Sequence, residues 1–314
     1  MNLDPQIAHI LGLVKKAAYP DLWELSPEQA RAQLAKTMPV LDAKPVTIHA
    51  WKDKLIPAND RLIPVRVYTP RPIEGGELLP VLMWLHGGGF VVGSVQLYDS
   101  ICRSLAIQSD CIVVSVDYRL APEHKFPAGV EDCFAVLRWL GNDAVEIGGD
   151  SARIVVAGDS AGGNLAAVST ILARDAGGPD IALQVLIYPG TAPYPDSASH
   201  FEFAEGYFLS RKTILWFYQH YLRHESDSRD FRFAPLLTKD LAGLPAALVI
   251  VAGYDPLRDE GIEYAMKLRD AGNIVDLSNY CTMTHAFFSF SGAVDVAKQA
   301  IEQVADIVRR ICRR

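Results

Sequence analysis

Ile154-Val155-Val156-Ala157-Gly158-Asp159-Ser160-Ala161-Gly162-Gly163-Asn164 is a β-rich run that meets a glycine-flanked serine and then passes into a helical pattern. Gly158 and Gly162 stand two residues either side of Ser160. That spacing suits a strand-to-helix turn sharp enough to push the serine oxygen out of a sheet, which only small neighbours allow. A bare glycine-x-serine-x-glycine is a weak signal, because loops are full of both residues. Here an apolar strand precedes it and the apolar helical stretch Ser160–Arg174 follows it, so the turn reads as a nucleophile elbow. The plainer alternative is a tight turn without reactivity.

Four more short apolar runs share the character of Ile154–Ala157: Val81–Leu85, Ile112–Val116, Leu183–Ile187 and Ala247–Val251. Unalternated β-rich runs of this length suit strands buried on both faces of a parallel sheet. Helical stretches such as Gly129–Leu140 separate them, which predicts an α/β fold with a mostly parallel central sheet flanked by helices. Val46–Ile56 and Leu62–Thr69 also read as strands, and Pro57 and Pro64 place them near an edge.

Two further regions stand outside this rhythm. The first forty residues read as two amphipathic helices: Ile7, Ile10, Leu11 and Val14 recur at helical spacing, and Ser26-Pro27 is an N-cap followed by proline at the first helical position. The connection from Tyr188 to Pro245 is far longer than one crossover needs. It holds the aromatic residues Phe201, Phe203, Tyr207 and Phe208 and a helix around Thr213–Leu222. We read it as an insertion that packs with the N-terminal helices as a helical cap. The expected division is residues 1–45 and 191–225 for the cap, with 46–190 and 226–314 forming the catalytic core.

Composition narrows the partners. A chain of 314 residues buries roughly three quarters of its unfolded surface and needs no disulfide or metal to hold together. Its balance of 50% hydrophobic and 21% charged residues is that of a globular protein, which excludes disorder and coiled coil. The net charge of -7 leaves no basic surplus to neutralise phosphates, so no nucleic-acid partner is expected. The opening Met1-Asn2-Leu3-Asp4-Pro5 has no positive n-region or apolar h-region, so neither a secretory signal nor a stable membrane anchor is expected. The five cysteines lack metal-ligand spacing and read as free thiols in a reducing cytoplasm. No metal and no cofactor is expected.

A serine hydroxyl needs a base to take its proton. Of eight histidines, only His285 lies beyond the last predicted core strands, in the loop Cys281–Phe287. The acid should follow the preceding core strand, where open parallel sheets place their ligands, and Asp255 ends Val249–Val251 in that way. Asp259 and Asp276 are rivals, the first at a helix start and the second inside a strand. The fourth element is His86-Gly87-Gly88-Gly89-Phe90 after Val81–Leu85. Backbone N–H groups of three glycines can converge with that of Ala161 on one oxyanion. A phosphate-cradling loop fits less well, because the run lacks the GxGxxG spacing and the Walker lysine.

Taken with Asp117-Tyr118-Arg119-Leu120-Ala121-Pro122-Glu123, Asp255-Pro256-Leu257-Arg258-Asp259 and His285-Ala286-Phe287, these motifs resemble the microbial branch of the hormone-sensitive-lipase family of α/β-hydrolase esterases, from about Val81 to Phe287. The resemblance implies Ser160, Asp255 and His285 as catalytic triad and Gly88, Gly89 and Ala161 as oxyanion hole. It also implies a cap, a role for His86 in orienting the glycine loop, and a serine carboxylesterase hydrolysing short- to medium-chain acyl esters through an acyl-enzyme. It permits a homodimer through the C-terminal part of the sheet. Amidase, lactonase and deacetylase activities use the same machinery, and the pocket that chooses between them is not legible in the motifs. A non-catalytic ligand-binding protein of this family would lose the histidine; here His285 is present.

Overall fold

The computed structural model describes residues 2–58 and 61–313. In chain order the elements are α1 (Pro5–Ala17), α2 (Pro27–Leu41), β1 (Ala50–Ala58), β2 (Arg61–Thr69), β3 (Leu79–Leu85), α3 (Asp99–Ser109), β4 (Ile112–Val116), α4 (Ala128–Asp143), β5 (Gly149–Asp159) and α5 (Ala161–Asp175). They continue with β6 (Leu183–Ile187), α6 (Ala198–Glu202), α7 (Arg211–Tyr221), β7 (Ala247–Tyr254), α8 (Arg258–Asp270), β8 (Val275–Thr284) and α9 (Asp295–Cys312).

The eight strands form one sheet in the order β1-β2-β4-β3-β5-β6-β7-β8. β2 is antiparallel to both its neighbours, and every other pair is parallel. Parallel strands buried on both faces carry apolar residues at every position, and successive side chains serve opposite layers. In β3, Val81, Met83 and Leu85 join the core beneath α4, α5 and α8, whereas Leu82 and Trp84 join the core beneath α3 and α9.

Two expectations need correction. The first strand begins at Ala50 rather than Val46, because its one partner runs out: Ala50 pairs with Thr69, and Pro70 follows. A proline cannot donate to a ladder, so the pairing stops there. The apolar stripe of α1 is also shorter than expected. Ile7 and Ile10 are buried, Leu11 is half-buried, and Val14 is exposed. The cap on α2 behaves as read, with Ser26 Oγ accepting from the Gln29 N–H at 3.2 Å and the Gln29 side chain accepting from the Ser26 N–H. Among the described residues, no helix is long and apolar enough to cross a membrane.

Candidate active site

Parallel strands that begin at one edge of a sheet also end together, and here the residue after each of four strand ends is one that the sequence singled out. His86 follows β3, Ser160 follows β5, Asp255 follows β7 and His285 follows β8. The sheet thereby brings together four stretches that lie far apart in the chain.

The turn at Ser160 is as tight as its neighbours suggest. Ser160 sits at φ 56°, ψ -118°, an unfavourable region for a residue with a side chain, and its N–H donates to the Ile187 carbonyl at 2.8 Å. Gly162 must be glycine because a Cβ there would run into the backbone of Leu85 and His86. A Cβ at Gly158 would meet the Gly162 and Leu85 carbonyls. β3 and the elbow can approach so closely only without side chains.

His285 Nε2 lies 3.0 Å from Ser160 Oγ, and His285 Nδ1 lies 2.8 Å from Asp255 Oδ2. An ionised carboxylate only accepts, so Nδ1 carries the proton and Nε2 is left to accept from the serine hydroxyl. Asp255 is wholly buried, and its other oxygen accepts from the Leu257 N–H at 2.8 Å. The Tyr188 ring packs 4.6 Å from the imidazole and backs it. Of the two rival carboxylates, Asp259 accepts from the Ser199 N–H and pairs with Arg258, while Asp276 lies within β8 opposite Leu248. Neither meets His285.

Among the described residues, none accepts a hydrogen bond from the backbone N–H of Gly88, Gly89 or Ala161. Ala161 opens α5, where first-turn N–H groups have no partner within the helix. The glycine loop is braced from below: Tyr118 Oη donates to the His86 carbonyl at 2.7 Å, and the two rings stack at 4.4 Å. Burial pushes the His86 imidazole down to about 4, so it stays neutral, with Nδ1 2.8 Å from the Gly87 carbonyl. A cavity of about 40 Å³ opens beside Ser160, walled by Leu209, Ile214, Phe217, Tyr218, Phe233 and Leu257. Phe217 lies flat against Gly89, where any Cβ would strike its ring. Among the described residues, no three His, Cys, Asp or Glu side chains are grouped to hold a metal ion.

Residues 82–289 match the Abhydrolase_3 family model, an alpha/beta hydrolase fold. Carboxylesterase NlhH of Mycobacterium tuberculosis is 46% identical over 242 residues, which are 76% of this chain and 75% of that one. The chain belongs to the hormone-sensitive-lipase family of α/β-hydrolase carboxylesterases. Ethyl acetate hydrolase of Pseudomonas putida is 34% identical over 319 residues, with 99% of each chain covered. Among solved structures, the ester-hydrolase EH1AB1 from the metagenome of Lake Arreo superposes with a TM-score of 0.94 at 41% identity over 98% of both chains.

Several residues around the site of this hormone-sensitive-lipase relative escaped the sequence reading. Arg31 of α2 donates to the Val91 and Ala121 carbonyls and forms a double hydrogen bond with Glu123, tying the N-terminal segment to the glycine loop. Asn164 Nδ2 donates to the Gly190 and Phe233 carbonyls and so fixes one cavity wall. His200 of α6 and Glu260 of α8, both buried, meet at 2.7 Å, and Glu260 also accepts from the Thr191 and Ala192 N–H groups. Burial pushes the Glu260 carboxyl up, against the pull of those donors. Phe203 is buried with its ring tilted against Tyr254 at 5.5 Å while Phe201 is exposed, a difference that the shared aromatic pattern conceals.

Proposed function

We propose that this carboxylic ester hydrolase is a serine esterase in which Ser160, His285 and Asp255 act as one unit. The reading rests on the hydrogen-bonded chain from Asp255 through His285 to Ser160, with three unpaired backbone N–H groups beside it. Ser160 Oγ attacks the ester carbonyl as His285 Nε2 takes its proton, and the new oxyanion rests on the N–H groups of Gly88, Gly89 and Ala161. His285 then gives that proton to the departing alcohol as the C–O bond breaks, leaving an acyl-Ser160. A water molecule, deprotonated by His285, attacks the acyl carbon and releases the acid and the free serine. Asp255 holds the imidazole in the tautomer this requires and stabilises the imidazolium without taking the proton.

The substrates we assign are short- to medium-chain acyl esters. The apolar walls of the cavity beside Ser160, formed by Leu209, Ile214, Phe217 and Phe233, support the choice, since an acyl chain is favoured by apolar surface. We further propose that residues 1–45 and 191–225 form the cap. Lys212 lies over the Trp23 ring at 5.0 Å, and Phe217 covers Gly89, so the two segments meet above the site. Five free cysteines suit a reducing cytoplasm, where we place the protein. The decisive experiment is labelling with an organophosphate. Stoichiometric modification at Ser160, with hydrolysis of a p-nitrophenyl acyl series lost in parallel, is expected; modification at another serine would overturn the assignment.

A further inference from the structure

Three of the side chains that wall the cavity beside Ser160 are polar: Ser160 itself, Asn164 and Tyr218. The proposed reaction uses the serine and gives the other two no task. Asn164 is buried, and its Nδ2 is committed to the Gly190 and Phe233 carbonyls at 2.8 and 2.6 Å. Its Oδ1 has no hydrogen-bond partner among the described residues. Tyr218 of α7 sets its ring edge-on to Phe233 at 4.9 Å, and its hydroxyl also lacks a partner among the described residues. Burial pushes the Tyr218 phenol well above its usual range, so it stays an O–H group able to donate. Phe233 holds both residues, Tyr218 against its ring and Asn164 on its carbonyl. A hydroxyl or amide taken out of water without a partner costs free energy, and such groups in folded proteins are nearly always paired. Two of them in one otherwise apolar cavity, beside the nucleophile, suit a partner that arrives with the substrate.

We propose that Asn164 and Tyr218 select acyl groups that carry a hydroxyl: Tyr218 Oη donates to the hydroxyl oxygen, and the hydroxyl donates to Asn164 Oδ1. One donor and one acceptor match the two roles of a single O–H group. A ketone or ether oxygen would satisfy Tyr218 and leave Asn164 unpaired. A carboxylate would bury a charge in a cavity that no cationic side chain lines. The backbone gives the position. The Asn164 N–H donates to the Ser160 carbonyl at 3.0 Å, one helical turn along. Four residues of helix rise about 6 Å, which puts the hydroxyl a few bonds from the ester carbon, as in a 3-hydroxyacyl ester. Leu209, Ile214, Phe217 and Leu257 are left to cover the carbon chain.

This inference rests on the serine-esterase reading and names its substrate class, and the test keeps the two apart. The probes are p-nitrophenyl esters of (R)- and (S)-3-hydroxybutanoate and of 3-methylbutanoate, in which a methyl group replaces the hydroxyl. For the better enantiomer, kcat/KM should exceed that of the methyl analogue by at least about tenfold, the net worth of two neutral hydrogen bonds. Tyr218→Phe removes one of those bonds together with an unpaired hydroxyl. Its kcat/KM should fall for the hydroxy ester and rise for the methyl ester, so that their ratio drops at least about fivefold. The thermal midpoint should not fall, because no hydrogen bond within the protein is lost. A parent ratio near one, or a ratio that survives Tyr218→Phe, would overturn the proposal. Organophosphate modification of the parent at a serine other than Ser160, or hydrolysis of none of the esters, would instead remove the reading beneath it.

Discussion

The two walls that meet over Ser160 are built by opposite means. On the core side, Gly87, Asp159, Asp255 and His285 are located by hydrogen bonds of 2.8 Å between buried groups. On the side of the proposed insertion, Leu209, Ile214, Phe217 and Tyr218 present apolar surface, and His200 and Glu260 tie the segment to α8. Hydrogen bonds are directional and fix an atom to a few tenths of an ångström. Dispersion contacts are individually weak and tolerate sliding and exchange. A proton transfer and an oxyanion demand the first kind of wall. An acyl chain that varies in length is served by the second. Damage to the core side should therefore appear in kcat, and damage to the insertion side in stability or in the choice of substrate.

The largest separation comes from Ser160→Ala, which should lower kcat by about five to six orders of magnitude with an unchanged circular dichroism spectrum. Next is Asp255→Asn, where the wrong imidazole tautomer should cost about 10⁴ in kcat. Asp259→Asn, which touches Ser199 and Arg258 rather than His285, should stay within tenfold of the parent. Steady-state kinetics of the pair would reverse the assignment if the losses were exchanged. On the other wall, Glu260→Ala leaves His200 and the Thr191 and Ala192 N–H groups buried without their acceptor. Urea unfolding should show a loss of about 3–5 kcal/mol.

Smaller effects probe the substrate wall and the surface. Phe217→Ala opens space above Gly89, so the ratio of kcat/KM for hexanoate over acetate esters should rise at least about fourfold, the worth of one buried methylene at about 0.8 kcal/mol. An unchanged ratio would remove Phe217 from the acyl pocket. Least is expected from Glu123→Gln. The Arg31 guanidinium holds the Glu123 carboxyl down, to about 2, whereas an unfolded glutamate titrates near ~4.3. A depressed carboxyl stabilises the fold above the unfolded value, and that contribution fades as pH falls through the folded one. Because both side chains are partly exposed, the difference should be at most about 1 kcal/mol at pH 7 and shrink toward pH 2.

What could be read from residue order was local or followed from one rule about sheets. The elbow at Ser160 declares itself because its strand, its glycines and its helix are neighbours in the chain. Asp255 and His285 were legible because parallel strands end on one edge, so the residue after each late strand belongs there. The start of β1 was misplaced because its end is set by a partner strand, and Val46 is as good a β-former as the residues that pair. The outer half of the α1 stripe was misplaced because periodicity shows which face is apolar, not how far another surface extends to cover it.

The bracing of the site was decided elsewhere. Gly87 meets Asp159 across 72 positions, His200 meets Glu260 across 60 and Arg31 meets Glu123 across 92. No spacing rule connects such residues, since each is an ordinary polar group until folding brings its partner alongside. The motifs pointed to the residues proposed to react: a strained turn and a strand end impose patterns on adjacent residues. Tertiary structure alone chose what holds those atoms still. A buried polar group must find whichever partner the packed chain brings within 3 Å.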